Sequence, residues 1–379
     1  MTPNEHPVVD VHVHVGLVGD TWPESGHMSA EYRKSITYKV FLKYSGVEEN
    51  VVCDAILRKL AIEKVAESSV DKVVLLALDH VFKPDGTPAP DRSHLWVAND
   101  FVRDLCRKEL RARGLFGCSV HPYDPNFESR VKDCVDSGAV LIKWLPSAQQ
   151  IDLADGRVLK AMEFLATAKP GGNPLPLLLH AGPEYAIPSS DERTRSYDFL
   201  TWSGWDKLLN FWRFKNKWHT PKIKEIHKNL EQALNSGAVI IFAHCGLPYF
   251  FSGLLGNLFE HSEFKVVRRY LKDTAAGKYK GKCYADVSAV ATPFRKRYFK
   301  DLKELPADLL LYGSDFPTPA FEITAGGKET LKDMEEVLRG DVSRVVIPQG
   351  NLLDVNLREL RNVFGDHPLF TNFATQLLP

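Results

Sequence analysis

The sequence predicts a (β/α)8 barrel, the TIM-barrel class. Eight short apolar runs recur along the 379 residues, and stretches with helical spacing separate them. The runs are PVVDVHVHV (7–15), DKVVLLALD (71–79), GLFGCSVHP (114–122), AVLIKWLP (139–146), LPLLLHAG (175–182), AVIIFAHCG (238–246), KCYADVSAV (282–290) and DLLLYGSDFP (308–317). Each is short and rich in β-branched residues or leucine, as strands buried on both faces are. Between them, ILRKLAIEKVAESS, WVANDFVRDLCRKELRARG and ESRVKDCVDSG carry apolar residues at three- and four-residue spacing, the helical period. Strands alternating with helices predict a parallel sheet joined by right-handed crossovers. A doubly wound open sheet is the competing arrangement, but no GxGxxG follows the first strand.

The expected organisation is one domain over 1–379, with two connections too long for plain barrel turns. Residues 16–53 follow strand 1, residues 183–232 follow strand 5, and a helix with a Phe- and Pro-rich tail closes the chain over about 350–379. Both insertions leave the C-terminal ends of strands, where barrel enzymes keep their sites. They read as lids shaping a pocket, with a homodimer contact as the alternative use.

Composition narrows the partners. Lys+Arg and Asp+Glu both total 48, so no charge excess points to nucleic acid or a membrane surface. No apolar run reaches about 18 residues, the length of a transmembrane helix. The start, MTPNEHPVVDVHVH, enters a strand within ten residues and leaves no room for a signal peptide. Cys53, Cys106, Cys118, Cys134, Cys245 and Cys283 are scattered singly, which predicts reduced thiols in a cytoplasmic protein.

The polar residues at the strand ends carry the functional signal. Strand 1 ends in His12-Val13-His14, strand 5 in His180, strand 6 in His244 and strand 8 in Asp315, while Lys143 interrupts the apolar strand 4. Strand side chains alternate faces, so His12 and His14 point the same way into the barrel mouth. A lone histidine at a strand end is ordinarily a satisfied polar residue. Here four of thirteen histidines and one aspartate converge from four strand ends. That donor set suits zinc, and also Mn, Fe or Co. His121 reaches the same end, with a turn-capping role before Pro122 as its other reading. Lys143 needs its own explanation, because an ammonium buried without a partner costs several kcal/mol.

VDVHVH on strand 1, the strand 5 histidine, AHCG on strand 6 and GSDFP on strand 8 resemble the amidohydrolase superfamily. The nearest branch is the amidohydrolase-related, TIM-barrel metal-dependent hydrolases, which include aminocarboxymuconate-semialdehyde decarboxylase. The resemblance runs from His12 to the IPQGN stretch after strand 8. It implies that His12, His14 and Asp315 bind metal and that His180 and His244 complete the site. It further implies, for binuclear members, that a carboxylated strand 4 lysine, here Lys143, bridges two Zn2+ ions. Mononuclear branches give that position no ligand role. In the decarboxylase-like branch His244 would hold water rather than metal. For Lys143 a neutral or salt-bridged state near Asp315 or Glu184, or a cation that binds substrate carboxylate, stays open beside the carbamate.

The implied chemistry is hydrolysis of a small-molecule amide, lactone or ester. Metal-activated water would attack, Asp315 would move the proton, and the metal or His244 would polarise the carbonyl. Metal-dependent, non-oxidative decarboxylation of a small carboxylic acid is the alternative. A ligand-binding barrel that has lost its chemistry is a third reading, opposed by retention of every expected ligand. Trp144, Tyr185 and Tyr249 lie just beyond the ligands and are candidate substrate contacts, with Phe250 and Phe316 beside them. Arg92, Arg193 and Arg195 could grip an anion, and TAGGKET after strand 8 could cradle a phosphate. Exposed arginines and a plain Gly-rich turn are the ordinary readings of these.

Overall fold

Along β1 (Val9–His14), Val9, Val11 and Val13 alternate with Asp10, His12 and His14. The valines pack into the apolar core, and the polar residues face the opposite way. The computed structural model describes residues 6–181, 186–188, 223–247, 262–292, 295, 298–318 and 350–378. Within these, β1 is followed by β2 (Gly26–Met28), β3 (Lys72–Leu76), β4 (Leu95–Val97), β5 (Gly114–Cys118) and β6 (Ala139–Trp144). Then come β7 (Leu177–Leu179), β8 (Val239–Phe242), β9 (Lys282–Asp286) and β10 (Leu310–Leu311). One eight-stranded sheet runs in the order β1-β3-β5-β6-β7-β8-β9-β10, and every pair in it is parallel.

The ring closes between its first and last strands. Val11 N–H donates to Tyr312 O (3.0 Å), Asp315 N–H to His12 O (2.9 Å) and His14 N–H to Phe316 O (2.7 Å). All eight predicted strands are present and the fold is a (β/α)8 barrel. The regular part of the last strand is two residues long, because Gly313-Ser314-Asp315 turns into the mouth. Asp315 sits in the left-handed region (φ 63). Gly313 has a steric reason as well: a Cβ there would lie 3.1 Å from the His12 Cβ.

Helices α1 (Ala30–Lys34), α2 (Ile36–Ser45), α3 (Asp54–Glu67), α4 (Asn99–Arg107), α5 (Phe127–Asp136), α6 (Pro146–Gln149) and α7 (Gly156–Leu165) fall between the strands. They are followed by α8 (Ile223–Asn235), α9 (Ser262–Ala275), α10 (Phe299–Lys303), α11 (Leu352–Phe364) and α12 (Asn372–Gln376). α11 lies in the stretch read as the C-terminal helix, and α12 is a short helix within the tail. No helix of the described residues is long and apolar enough to cross a membrane. The six cysteines are free thiols, and all but Cys53 are buried.

The insertion after β1 is structured. It holds β2, α1 and α2, and β2 pairs antiparallel with β4 from the loop that follows β3. A separate apolar cluster, including Val18, Met28, Tyr38, Leu42 and Leu145, packs it over the end of β6. Asp54, the first residue of α3, is fully buried and ties this insertion down. Its carboxylate accepts from the N–H groups of Gly19 (2.9 Å), Thr21 (3.0 Å) and Trp22 (2.9 Å). Asp54→Ala strands three donors at once, so we expect it to lower unfolding free energy by about 2–4 kcal/mol in urea titrations. A loss below about 1 kcal/mol would contradict that anchoring role. Most of the insertion after β7, residues 183–232, lies outside the described residues, as does its expected role as a lid.

Candidate metal centre

Three of the expected ligands meet at one point. His12 Nε2 lies 3.1 Å from His14 Nε2 and 3.4 Å from Asp315 Oδ1, and His14 Nε2 lies 3.3 Å from the same oxygen. Donors each at about 2.0–2.2 Å from a shared zinc ion stand about 3–3.5 Å apart, so these edges fit one ion. Lys143 Nζ lies 3.1 Å from His12 Nε2, in a residue that is only 1% exposed. The strand 4 lysine therefore faces the same point from across the barrel.

Local structure explains the convergence. The β1–β3 register slips between Asp10 and Val13, a bulge of the kind that re-aims side chains beside sites. Asp10, fully buried, bridges the two sides of the centre. Its Oδ1 accepts from His12 N–H (3.1 Å) and from Ser314 N–H (2.9 Å), so strand 1 and the Gly-Ser-Asp turn share one anchor. Burial, outweighing these hydrogen bonds, pushes the Asp10 carboxyl up to about 7. Asp315 is oriented by Thr318, whose hydroxyl donates to Oδ2 (3.0 Å) and leaves Oδ1 toward the histidines.

His244 sits at the end of β8 with a left-handed backbone (φ 57), and Cys245 repeats it (φ 52). Non-glycine residues pay for that conformation, and such outliers gather where a site needs an exact aim. The His244 ring stacks on His12 at 5.1 Å and meets His180 edge-on at 5.1 Å. His180 is placed by its backbone, whose N–H donates to Trp144 O (3.0 Å).

Asp286, at the end of β9, organises the second layer. Its Oδ2 faces His12 Nδ1 at 3.0 Å, while Oδ1 accepts from His244 N–H and Ser288 N–H, each at 2.9 Å, and from the Ser288 hydroxyl. Ser288 Oγ also lies 2.8 Å from His244 Nδ1. With its own proton on Asp286, that hydroxyl accepts from His244 Nδ1–H. The network thus assigns protons to Nδ1 of both His12 and His244 and leaves Nε2 lone pairs for ligation. His12, His244 and Asp286 also bring ligand atoms within 4.8 Å of one another, but the Asp286 oxygens are engaged as described.

The protonation states match metal binding, which needs neutral imidazole and ionised carboxylate. Burial lowers His14 to about 4 and His244 to about 3, and holds His180 well below its ordinary value. Burial alone would raise Asp315, yet His244, His12 and the hydrogen bond from His14 hold it well below the carboxylate range. Asp286 is depressed in the same way by His12, against its burial.

Not every expected residue joins the site. Trp144 was a candidate substrate contact, and the structure corrects this. It follows Lys143, so strand alternation turns it away from the mouth; it is fully buried, packs on Phe127 of α5 and donates Nε1–H to Val120 O (2.9 Å). Tyr185, Tyr249, Phe250, Glu184, Arg193, Arg195 and the TAGGKET segment lie outside the described residues. Phe316 is buried, and Arg92 sits on a short turn, Pro90–Arg92. His121 caps a turn: its Nδ1 accepts from Tyr123 N–H (3.1 Å), and Nε2–H donates to Gln149 O (2.8 Å). Sequence reasoning missed Asp10, Asp286 and Ser288 as parts of the centre. The signal for both aspartates was a carboxylate inside an apolar run, the same anomaly that singled out Lys143.

No family model matches the chain, and no curated protein matches it. Solved structures do. A "probable 2-pyrone-4,6-dicarboxylic acid hydrolase" from Acinetobacter baumannii, with citric acid bound, is 12% identical at a TM-score of 0.45, covering 95% of this chain and 99% of its own. A 5-carboxyvanillate decarboxylase from Novosphingobium aromaticivorans, with bound manganese, is 15% identical at 0.41, covering 83% and 88%. An amidohydrolase 2 from Bifidobacterium longum subsp. infantis is 12% identical at 0.42, covering 97% and 95%. At such identities and scores the chemistry must be argued from this site's own atoms.

Proposed function

We propose that this protein is a metal-dependent hydrolase of the amidohydrolase kind, acting on a small-molecule amide, lactone or ester. One observation carries the reading: His12 Nε2, His14 Nε2 and Asp315 Oδ1 form a triangle with edges of 3.1, 3.3 and 3.4 Å at the C-terminal end of a barrel. Their chemistry and spacing fit zinc, with another divalent transition metal able to take the same place. His12, His14 and Asp315 would hold the ion, and Lys143, His180 and His244 would complete a one- or two-metal centre. Bound there, the metal supplies a Lewis acid and lowers the pKa of water from about 16 toward 7.

The chain's own groups supply the rest. Asp315, held well below the usual carboxylate range, is the base that takes a proton at a carboxylate oxygen and returns it to the leaving group. Thr318 keeps that carboxylate aimed while it changes charge. His244, neutral and fixed through Nδ1–H by Ser288, keeps an Nε2 lone pair that would hold the ion or accept a hydrogen bond from water.

Lys143 deepens the reading. An ammonium pointing at His12 Nε2 competes with metal for the same lone pair. Loss of a proton from Nζ and addition of the free amine to carbon dioxide, with release of a second proton, would replace that cation with an anion and turn the conflict into attraction. Lys143, as a carbamate, would then help hold the metal instead of competing with it. The second reading, a non-oxidative decarboxylase, keeps Lys143 as a buried cation that receives the substrate carboxylate.

Metal analysis separates the two. The hydrolase reading expects two zinc equivalents per chain, dependence on bicarbonate during reconstitution, and loss of both in Lys143→Ala. One equivalent retained by Lys143→Ala, with carbon dioxide released from carboxylic acid substrates, would establish the second reading instead. No tight metal in the wild-type protein would sink both.

A further inference from the structure

A second built group stands at the same end of the barrel, outside the metal donors. β3 is followed by Ala77, Leu78, Asp79 and His80, and Leu76 pairs with His14 in the sheet. His80 is thus four residues past a direct neighbour of a metal donor, within about 13 Å along the chain. That is the length of a small organic molecule.

The His80 ring is fixed on several sides. Its Nδ1 lies 3.1 Å from Asp79 Oδ1, its face stacks on Phe82 at 4.8 Å, and Trp96 of β4 meets it edge-on at 6.1 Å. Asp79 is buried and anchored on both oxygens. Oδ1 also accepts from His80 N–H (3.0 Å), while Oδ2 accepts from His121 N–H (2.9 Å) and Arg130 Nη1 (3.0 Å). Burial would raise this carboxyl, but His80, Arg130 and His121 N–H together leave it below its ordinary value, so it is an anion.

An anionic acceptor at Nδ1 keeps a proton on that nitrogen, so in the neutral ring Nε2 is the lone-pair acceptor. The side chain remains 24% exposed, and no described residue bonds Nε2. A surface histidine ordinarily swings through several rotamers. This one holds its acceptor in place before any ligand arrives, which removes the ordering cost of binding. A purely structural role would need only Nδ1, and Asp79 already has three other donors.

We propose that His80 is a specificity-determining residue of this site: its Nε2 accepts a hydrogen bond from a hydroxyl or N–H at the end of the substrate remote from the metal donors. The inference rests on the hydrolase reading above. A site built to receive a hydrogen bond discriminates strongly against an analogue that lacks the donor.

Asparagine and glutamine divide the imidazole's two functions. In His80→Asn the amide reproduces Nδ1–H toward Asp79 and nothing reaches the Nε2 position. In His80→Gln the amide reaches the Nε2 position and gives up the Asp79 contact. With the zinc-loaded protein, the probes are hydroquinone monoacetate, which carries a remote hydroxyl, and phenyl acetate, which does not. We expect the wild type to favour the first in kcat/KM by about 10-fold or more. His80→Asn should erase that preference with zinc content unchanged, and His80→Gln should keep part of it. A wild-type protein without the preference, a His80→Asn variant that keeps it, or a His80→Gln variant that behaves like His80→Asn would overturn the proposal.

A second measurement needs no turnover. Diethyl pyrocarbonate should carbethoxylate His80 in the intact wild-type protein, as read by peptide mass; an inert His80 would refute the open Nε2. Zinc-independent or absent turnover of phenyl acetate by the wild type removes the hydrolase reading, and the assignment of His80 falls with it. Zinc-dependent turnover without hydroxyl preference removes His80 alone.

Discussion

Asp315→Asn is expected to lower zinc affinity by at least about 100-fold and to take catalytic activity to background. Asparagine keeps the shape of the side chain and its bond from the Thr318 hydroxyl, so the barrel closure around Asp315 N–H should survive. What is lost is the negative charge standing 3.3–3.4 Å from both histidine Nε2 atoms. Removing even an outer partner of a metal ligand costs about 10–100-fold, and here a ligand itself is neutralised. Asp286→Asn is the graded control. It leaves all proposed ligands in place but weakens the carboxylate that holds His12 Nδ1–H, and should fall in that smaller range. Chelator competition reads both affinities directly. An Asp315→Asn affinity within about 3-fold of wild type would remove Asp315 from the ligand set.

The same residues show how far a sequence can be read. All eight barrel strands are visible because each is a short apolar run, and the residues at their C-terminal ends include His12, His14 and Asp315, which the structure brings together. His12 and His14 followed from alternation alone. Alternation, applied once more, would have turned Trp144 away from the mouth. The inner supports were harder to see. Asp286 and Asp10 sit inside their runs, and nothing local says that one reaches His12 Nδ1 and the other Ser314 N–H, 304 residues away in the chain. Those contacts exist because the barrel closes, and closure is a property of the whole ring. His80 belongs to the same class. Its neighbours Phe82 and Trp96 come from a loop whose path depends on β2 pairing with β4, an insertion pairing that apolar periodicity does not encode.

A buried charge is therefore the feature to interrogate, and Arg130 offers the sharpest test on the supporting side of the fold. Its guanidinium bridges Asp79 at 3.0 Å and Asp124, two carboxylates that are 7% and 8% exposed. Arg130→Met leaves both without their cation, which should destabilise the fold by about 2–4 kcal/mol, below the fully buried limit because the arginine is itself about a third exposed. The pH dependence gives the mechanism away. In the wild type the Asp79 carboxyl lies below its ordinary 3.8, so its contribution is complete above that pH and is lost as pH falls through the lower folded value. In Arg130→Met that cation no longer opposes burial, and the folded value rises from its wild-type position. The variant's penalty is then full at pH 7 and shrinks as protonation relieves the buried charge. His121, held neutral by burial and lowered from 6.5 to about 4, makes both proteins lose stability as pH falls between those values. Urea unfolding at pH 7, 5.5 and 4 should therefore show two falling curves whose gap narrows toward acid. A gap that stays constant would mean that Arg130 stabilises by packing rather than by charge.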